Sequence, residues 1–180
     1  MSEKLLDIKD LSVWYKTYRG YSQVVDGVSF YVGRGEKVGL VGESGCGKTT
    51  TMKAILRLQE DGNARVQPGA SIQFDGEDVL AMNKNALLEL RRKKISMISQ
   101  SPMAALNPVF TIGQQMLDVI KYSGYFEKKD HAGMLEAARQ AITSVMISDP
   151  DRTLKSYPYQ LSGGMRQRIC IATSLVTPRQ

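Results

Sequence analysis

Apolar and polar positions alternate loosely from Leu5 to Tyr15, the pattern of a half-buried strand. They alternate again from Val24 to Val32, where Gly33-Arg34-Gly35 breaks the run. The glycine-containing stretch Tyr18–Tyr21 between them reads as a turn. Lys37-Val38-Gly39-Leu40-Val41 reads as a short buried strand, and Thr50 to Arg57 as the start of a helix. Asp61 to Gly69 is polar with Gly and Pro and reads as a surface loop; Ser71–Phe74 reads as a strand closed by the turn Asp75-Gly76. Asn83 is placed to cap a helix over Lys84–Lys94, followed by a short apolar strand Ile95–Ser99 that leads to Gln100. Thr111–Tyr122 and Lys129–Met146 read as amphipathic helices. In the second, Met134, Ala138, Ala141, Ile142 and Val145 share one face. A last helix runs from near Ser162 to about Val176, with Pro178 close behind. No internal repeat or low-complexity segment is present.

This order predicts an α/β fold: strands around a core, with a helix-rich middle section inserted as a subdomain. A length of 180 residues suffices for one domain with a real core. The net charge of +6 suits an anionic ligand, nucleic acid or a membrane surface, but the basic residues are scattered, as on a solvated face. The densest run, Arg91-Arg92-Lys93-Lys94, closes a predicted helix, where cations suit the dipole. Cys46 and Cys170 lack a close partner and metal spacing, which points to a reducing, cytoplasmic setting. No apolar stretch approaches the roughly 20 residues that span a bilayer, and Met1-Ser2-Glu3-Lys4 lacks a signal's apolar centre. Membrane association is thus expected through a partner.

The strongest chemical feature is Gly42-Glu43-Ser44-Gly45-Cys46-Gly47-Lys48-Thr49, which fits G-x-x-x-x-G-K-[ST]. Its context is strand, loop, helix, as a phosphate cradle requires. Glycines let loop N–H groups converge on phosphate oxygens, and the helix start adds its positive dipole end. Lys48 is expected at the β- and γ-phosphates, and the Thr49 hydroxyl on Mg2+. Cys46 reads as a small loop filler. The second feature is Leu161-Ser162-Gly163-Gly164-Met165-Arg166-Gln167-Arg168. Ser162 can cap the following helix, and two bare glycines leave its N-terminus open as a second anion site. A plain helix cap is the alternative. One nucleotide does not need two such sites in one chain, whereas two chains facing head to tail would.

On these residues the chain resembles the ATP-binding cassette (ABC) ATPases. The first run matches their Walker A motif, Leu161–Gly164 their LSGG signature, and Gln100 their Q-loop glutamine. Tyr15 matches the aromatic that stacks on adenine, with Trp14 and Tyr18 as neighbours and a core or edge aromatic as the alternative. The resemblance narrows to the dipeptide, oligopeptide and nickel importer ATPases. It does so through Val38–Lys48, through Ile98-Ser99-Gln100-Ser101-Pro102-Met103-Ala104-Ala105-Leu106-Asn107-Pro108, and through Tyr157–Arg168, where Met165 replaces the usual glutamine. It covers the chain from about Leu5 to Pro178.

The resemblance implies a P-loop NTPase core of the ABC nucleotide-binding type with an inserted helical subdomain. Residues 1–100 would form the core with its antiparallel β part, 101–160 the helical subdomain, and 161–177 the signature and its helix. It implies ATP and Mg2+ as cofactors. The nucleotide would be held by Tyr15, Gly42 to Thr50 and, in trans, by Ser162, Gly163 and Gly164 of a second subunit. Lys48 and Gln100 would act in hydrolysis, with Thr49 and Gln100 serving Mg2+. The implied partners are a second ATPase chain, identical or different, transmembrane permease subunits and, indirectly, an extracytoplasmic solute-binding protein, with no nucleic acid. The implied location is the cytoplasmic face of the membrane, and the implied function is to power import of peptides or nickel.

The family pattern continues past a helix like Ser162–Val176 with an apolar strand ending Asp-Glu and, later, a switch histidine. The expectation is therefore that the C-terminal part of the core is missing and that residues 1–180 alone hydrolyse ATP very poorly, with low solubility. His131, the only histidine, lies upstream and reads as a solvent-facing helix residue. Three rivals remain in view: another P-loop class, for which no guanine-reading run is present; an ABC protein acting on nucleic acid or ribosomes; and a naturally truncated, non-catalytic nucleotide-binding module.

Overall fold

In the computed structural model, residues 3–58, 62–101, 105–127 and 129–177 are described. Met1, Ser2, Asp61, Pro102, Met103, Ala104, Pro178, Arg179 and Gln180, which figure in the sequence reading, lie outside that range. The chain divides into two units, Met1–Leu87 and Leu88–Gln180. Residues 88–100, read from the sequence with the first segment, cluster with the second unit.

The first unit is built on a long hairpin, β1 (Lys4–Thr17) and β2 (Gly20–Gly33), joined by a two-residue turn at Tyr18-Arg19. Both strands run further than their alternation alone indicates, because each residue of the tip still finds a partner: Thr17 faces Gly20 and Lys16 faces Tyr21. β1 also pairs antiparallel with β3 (Ala64–Val66) and β4 (Ser71–Phe74), and β4 with β5 (Glu77–Asp78). The Asp61–Gly69 loop is thus corrected in part. Ala64-Arg65-Val66 is too short for a periodic signal, yet Ala64 is buried opposite Tyr15. Ile8, Leu11, Val13, Ile72 and Phe74 form the buried face of this sheet, with Ala54 and Ile55 of helix α1 (Lys48–Ile55) also buried.

Two expected strands are corrected. Lys37–Val41 and Ile95–Ser99 carry no ladder among the described residues, and they are exposed rather than buried, Val41 at 93% and Ile98 at 49%. Apolar runs of this kind become strands only when a neighbouring strand pairs their N–H and C=O groups. All the pairings described are antiparallel and lie in the sheet built on β1.

Helix α2 (Lys84–Glu89) starts where expected: Asn83 Oδ1 accepts from the Ala86 N–H at 3.0 Å. It passes into a π-helical turn over Leu90–Lys94. The second unit packs α3 (Ile112–Ser123), α4 (His131–Ser144) and α6 (Gly163–Leu175) with a short α5 (Pro150–Lys155). Its core is Ile112, Met116, Ile120, Met134, Ala138, Ile142, Leu154, Leu161 and Ile169. The α4 face is the one its periodicity indicates: Met134, Ala138 and Ile142 are buried, Ala141 and Val145 partly so. Each long helix has a side-chain cap. Thr111 and Gln114 form a reciprocal capping box, Asp130 accepts from Gly133, and Ser162 accepts from Met165.

Candidate nucleotide site

The loop before α1 owes its shape to one close approach. Gly47 has φ 94°, a conformation that L side chains rarely adopt, and a Cβ there would lie 2.8 Å from the Val24 carbonyl oxygen in β2. The loop is therefore pressed onto the hairpin at the point where α1 begins. Gly47 O accepts both the N–H and the hydroxyl of Thr51, at 2.9 and 3.1 Å, which fixes the first turn. The N–H groups of that turn have no intrahelical acceptor and face away from the helix body. Lys48 starts the helix, and its Nζ donates to the carbonyl of Gly42 at 2.7 Å and to that of Glu43. It also lies 3.4 Å from Cys46 Sγ. A Cβ on Gly42 would come within 2.7 Å of that sulfur, so a larger residue here would turn the exposed Cys46 side chain aside. Thr49 is exposed beside Lys48, and Cys46 is exposed. These residues fit a phosphate chain with its divalent cation: bare backbone, a helix start, one ammonium and one accessible hydroxyl.

Tyr15 belongs to the same stretch of hairpin. Val25, which touches Gly47, faces Val13, and Tyr15 follows Val13 by two residues, about 7 Å along the strand. It is half-buried. Its two rivals are placed differently: Trp14 packs against Tyr21 with ring centroids 6.2 Å apart, and Tyr18 sits fully exposed at the turn.

The remaining candidates lie in the second unit. Gln100 is exposed after the 95–99 segment. Ser162, Gly163 and Gly164 are exposed at the start of α6, while Leu161 before them is buried and anchors the turn. Ser162 Oγ accepts from Met165 N–H at 3.3 Å, so it is a helix cap, and the two glycines beside it remain bare. Arg168, within the same motif, ties α6 to the end of α4: its guanidinium donates to the carbonyls of Val145 and Met146 at 3.3 and 2.6 Å. Sequence reading gave Arg168 no role, because its partners are backbone atoms more than 20 residues away. His131 opens α4, exposed as expected. Among the described residues no group of three or more His, Cys, Asp and Glu could hold a metal ion.

A glycine-rich loop pinned to a sheet, followed by a helical unit with a second capped, glycine-led helix start, is the arrangement of an ABC-type P-loop fold. The comparisons agree. The family profile for ABC transporter matches residues 25–180, and the chain belongs to that family. It is 38% identical over 97% of its length to a probable peptide ABC transporter ATP-binding protein of Sinorhizobium fredii, and 41% identical over 97% to the dipeptide transport ATP-binding protein DppD of Bacillus subtilis. In each case it spans about half (51%) of the relative's length. A solved dimeric bacterial ABC transporter cassette superposes with a TM-score of 0.82 at 23% identity, over 95% of this chain and 69% of that one, a likeness of fold. Among the described residues no helix is long and apolar enough to cross a membrane.

Proposed function

We propose that this chain is the nucleotide-binding part of an ATPase subunit that powers import of peptides. The observation that carries the reading is the loop pinned at Gly47, which presents Lys48 and Thr49 at a helix start. It is supported by family membership and by relatives named for peptide and dipeptide transport. Nickel is the second solute class to test.

In this reading Gly42 to Thr50 wrap the triphosphate, Tyr15 stacks on the adenine, and Lys48 neutralises charge on the transferred phosphoryl group. Thr49 and Gln100 serve Mg2+, and Gln100 orients the attacking water. Mg2+, held through the Thr49 hydroxyl and Gln100, would supply Lewis-acid neutralisation of phosphate charge. Ser162, Gly163 and Gly164 close over the nucleotide held by a second ATPase subunit, identical or paralogous. Loss of the terminal phosphate, which both chains would grip, lets the pair reopen. Permease subunits take up that motion at the cytoplasmic face of the membrane, and a solute-binding protein delivers the solute outside. Residues 1–180 alone bind ATP and turn it over very slowly.

The test is a titration of the chain with a fluorescent ATP analogue and Mg2+, followed by peptide uptake into proteoliposomes bearing the full-length subunit with its permease. Saturable binding lost in Lys48→Ala, with ATP-driven uptake of a dipeptide, is expected. Binding that ignores Lys48 overturns the site, and uptake of Ni2+ in place of dipeptide overturns the solute.

A further inference from the structure

Val145 closes helix α4, and Met146 just beyond it has φ 59°, the left-handed conformation that glycine usually supplies at this position. The turn is complete in its backbone bonds. Met146 N–H donates to the Thr143 carbonyl at 2.9 Å and Ile147 N–H to the Ile142 carbonyl at 3.4 Å, and Ile147 is buried. The carbonyls of Val145 and Met146 lie at the negative end of the helix dipole. Both accept from one nitrogen of the Arg168 guanidinium, at 3.3 and 2.6 Å. A side chain other than glycine held at such a φ persists only where the surroundings fix the backbone. Here a fixing group comes from α6, 22 residues further along the chain.

Arg168 is half-buried and stands six residues past Ser162, about 9 Å along α6. The buried residues of α6 are Ile169, Cys170 and Ala172. Apolar packing is non-directional and sets the spacing of two helices. Hydrogen bonds are directional, so the two from Arg168 set the rotation and register of α6 against the end of α4. Buried Leu161 holds the other side of Ser162, but through the 3-10 turn Pro158–Gln160 and not through a long helix. A tilt of about 10° pivoting at Arg168 would carry Ser162 through roughly 1.5 Å.

We infer that Arg168 is a positioning residue for the signature turn: by tying α6 to the end of α4 it aims Ser162, Gly163 and Gly164 at the nucleotide of the second subunit. The inference rests on the reading above in which that turn closes in trans. The guanidinium is directed at carbonyls of its own chain. Its loss therefore acts on the closed pair and not on the hold of Lys48 and its loop on ATP.

The experiment takes the full-length subunit, alone for binding of a fluorescent ATP analogue, and assembled with its second ATPase subunit and permease for hydrolysis. Arg168→Met keeps the apolar stem and removes every donor. Met146 is exposed, so water can take its freed carbonyl and the chain should still fold. In this variant kcat of the assembled complex should fall at least about tenfold, since a displacement of about 1 Å can cost about a hundredfold. KM for ATP and the Kd of the lone subunit should keep their wild-type values. Arg168→Lys keeps a cation for one carbonyl. It should lie between the two, and it decides the matter if the methionine variant fails to fold. Wild-type kcat in every variant that folds overturns the inference and leaves the closure reading standing. A rise in the lone subunit's Kd that tracks the loss of rate in both variants makes Arg168 a structural residue and likewise overturns it. Ser162→Arg is the control: hydrolysis at the wild-type rate in that complex overturns the closure reading and the inference with it.

Discussion

Gly113 in α3 and Leu154 in α5 meet backbone to backbone: a Cβ on Gly113 would lie 2.8 Å from the Leu154 carbonyl oxygen. Both residues are buried, and the neighbouring Ile112–Ser156 bond depends on the same approach. Gly113→Ala raises helix propensity by about 1 kcal/mol, but the forced separation of α3 from α5 costs about 1–3 kcal/mol. A net fall in Tm of a few degrees is expected by calorimetry, at roughly 3 °C per kcal/mol for a chain of this size. A rise in Tm would show that α5 can yield.

Gly47→Ala meets two obstacles at once, a φ of 94° and the Val24 carbonyl. The loop must lift from the hairpin, which misplaces Lys48. Nucleotide affinity should fall at least as far as in Lys48→Ala, for which loss of charge-assisted phosphate bonds of about 1.5–3 kcal/mol predicts a roughly 10- to 150-fold rise in Kd. Fluorescent-nucleotide titration of both variants decides this, and a Gly47→Ala chain binding like wild type would contradict the pinned-loop geometry.

Ser162 caps α6 through its side chain while Gly163 and Gly164 stay bare. Ser162→Arg should leave the affinity of one subunit for ATP intact and abolish transport by the full-length protein, because the bulky cation blocks closure on the partner's nucleotide. Weakened ATP binding by the lone subunit would put Ser162 in the wrong role.

The two thiols should react very differently. Cys46 is exposed, whereas Cys170 is buried and its pKa is raised above the ordinary thiol value by desolvation. The thiolate is the nucleophile, so Cys170 gains reactive form only at higher pH than an exposed thiol. Near pH 8, one equivalent of a thiol reagent should couple to Cys46 in the native chain and two after denaturation, with ATP slowing the first. Mass spectrometry of the labelled peptides checks this. Labelling of native Cys170 at the rate of Cys46 would contradict its burial.

Val38, Val41, Met97 and Ile98 expose apolar side chains, and their segments carry no strand ladder among the described residues. Such segments template further pairing. Light scattering should show concentration-dependent association of residues 1–180, and a reversible, cooperative melt from a monodisperse monomer would refute it.

The long hairpin, the long helices, the caps at Asn83 and Ser162 and the inward face of α4 were legible in the residues themselves. Each rests on short-range physics: a 3.6-residue period, a hydroxyl or amide three residues from its N–H, glycines spaced for a turn. Tyr15 could be singled out only with its neighbours Trp14 and Tyr18, since strand pairing, and not local pattern, separates the three. The strand Ala64–Val66 and helix Pro150–Lys155 escaped because three and six residues carry no usable period.

Sequence by itself therefore determined which residues to propose for a phosphate: Lys48, Thr49 and the glycines about them stand together in the chain, because their spacing is local. Tertiary structure alone decided what presses on what. That Gly47 sits under the Val24 carbonyl, that Arg168 fastens α6 to the end of α4, and that Gln115 grips Asn107 and Phe110 all depend on groups brought together by folding. The fate of Val38–Val41 and Ile95–Ser99 has the same origin, since an apolar run becomes a strand only when another strand lies beside it.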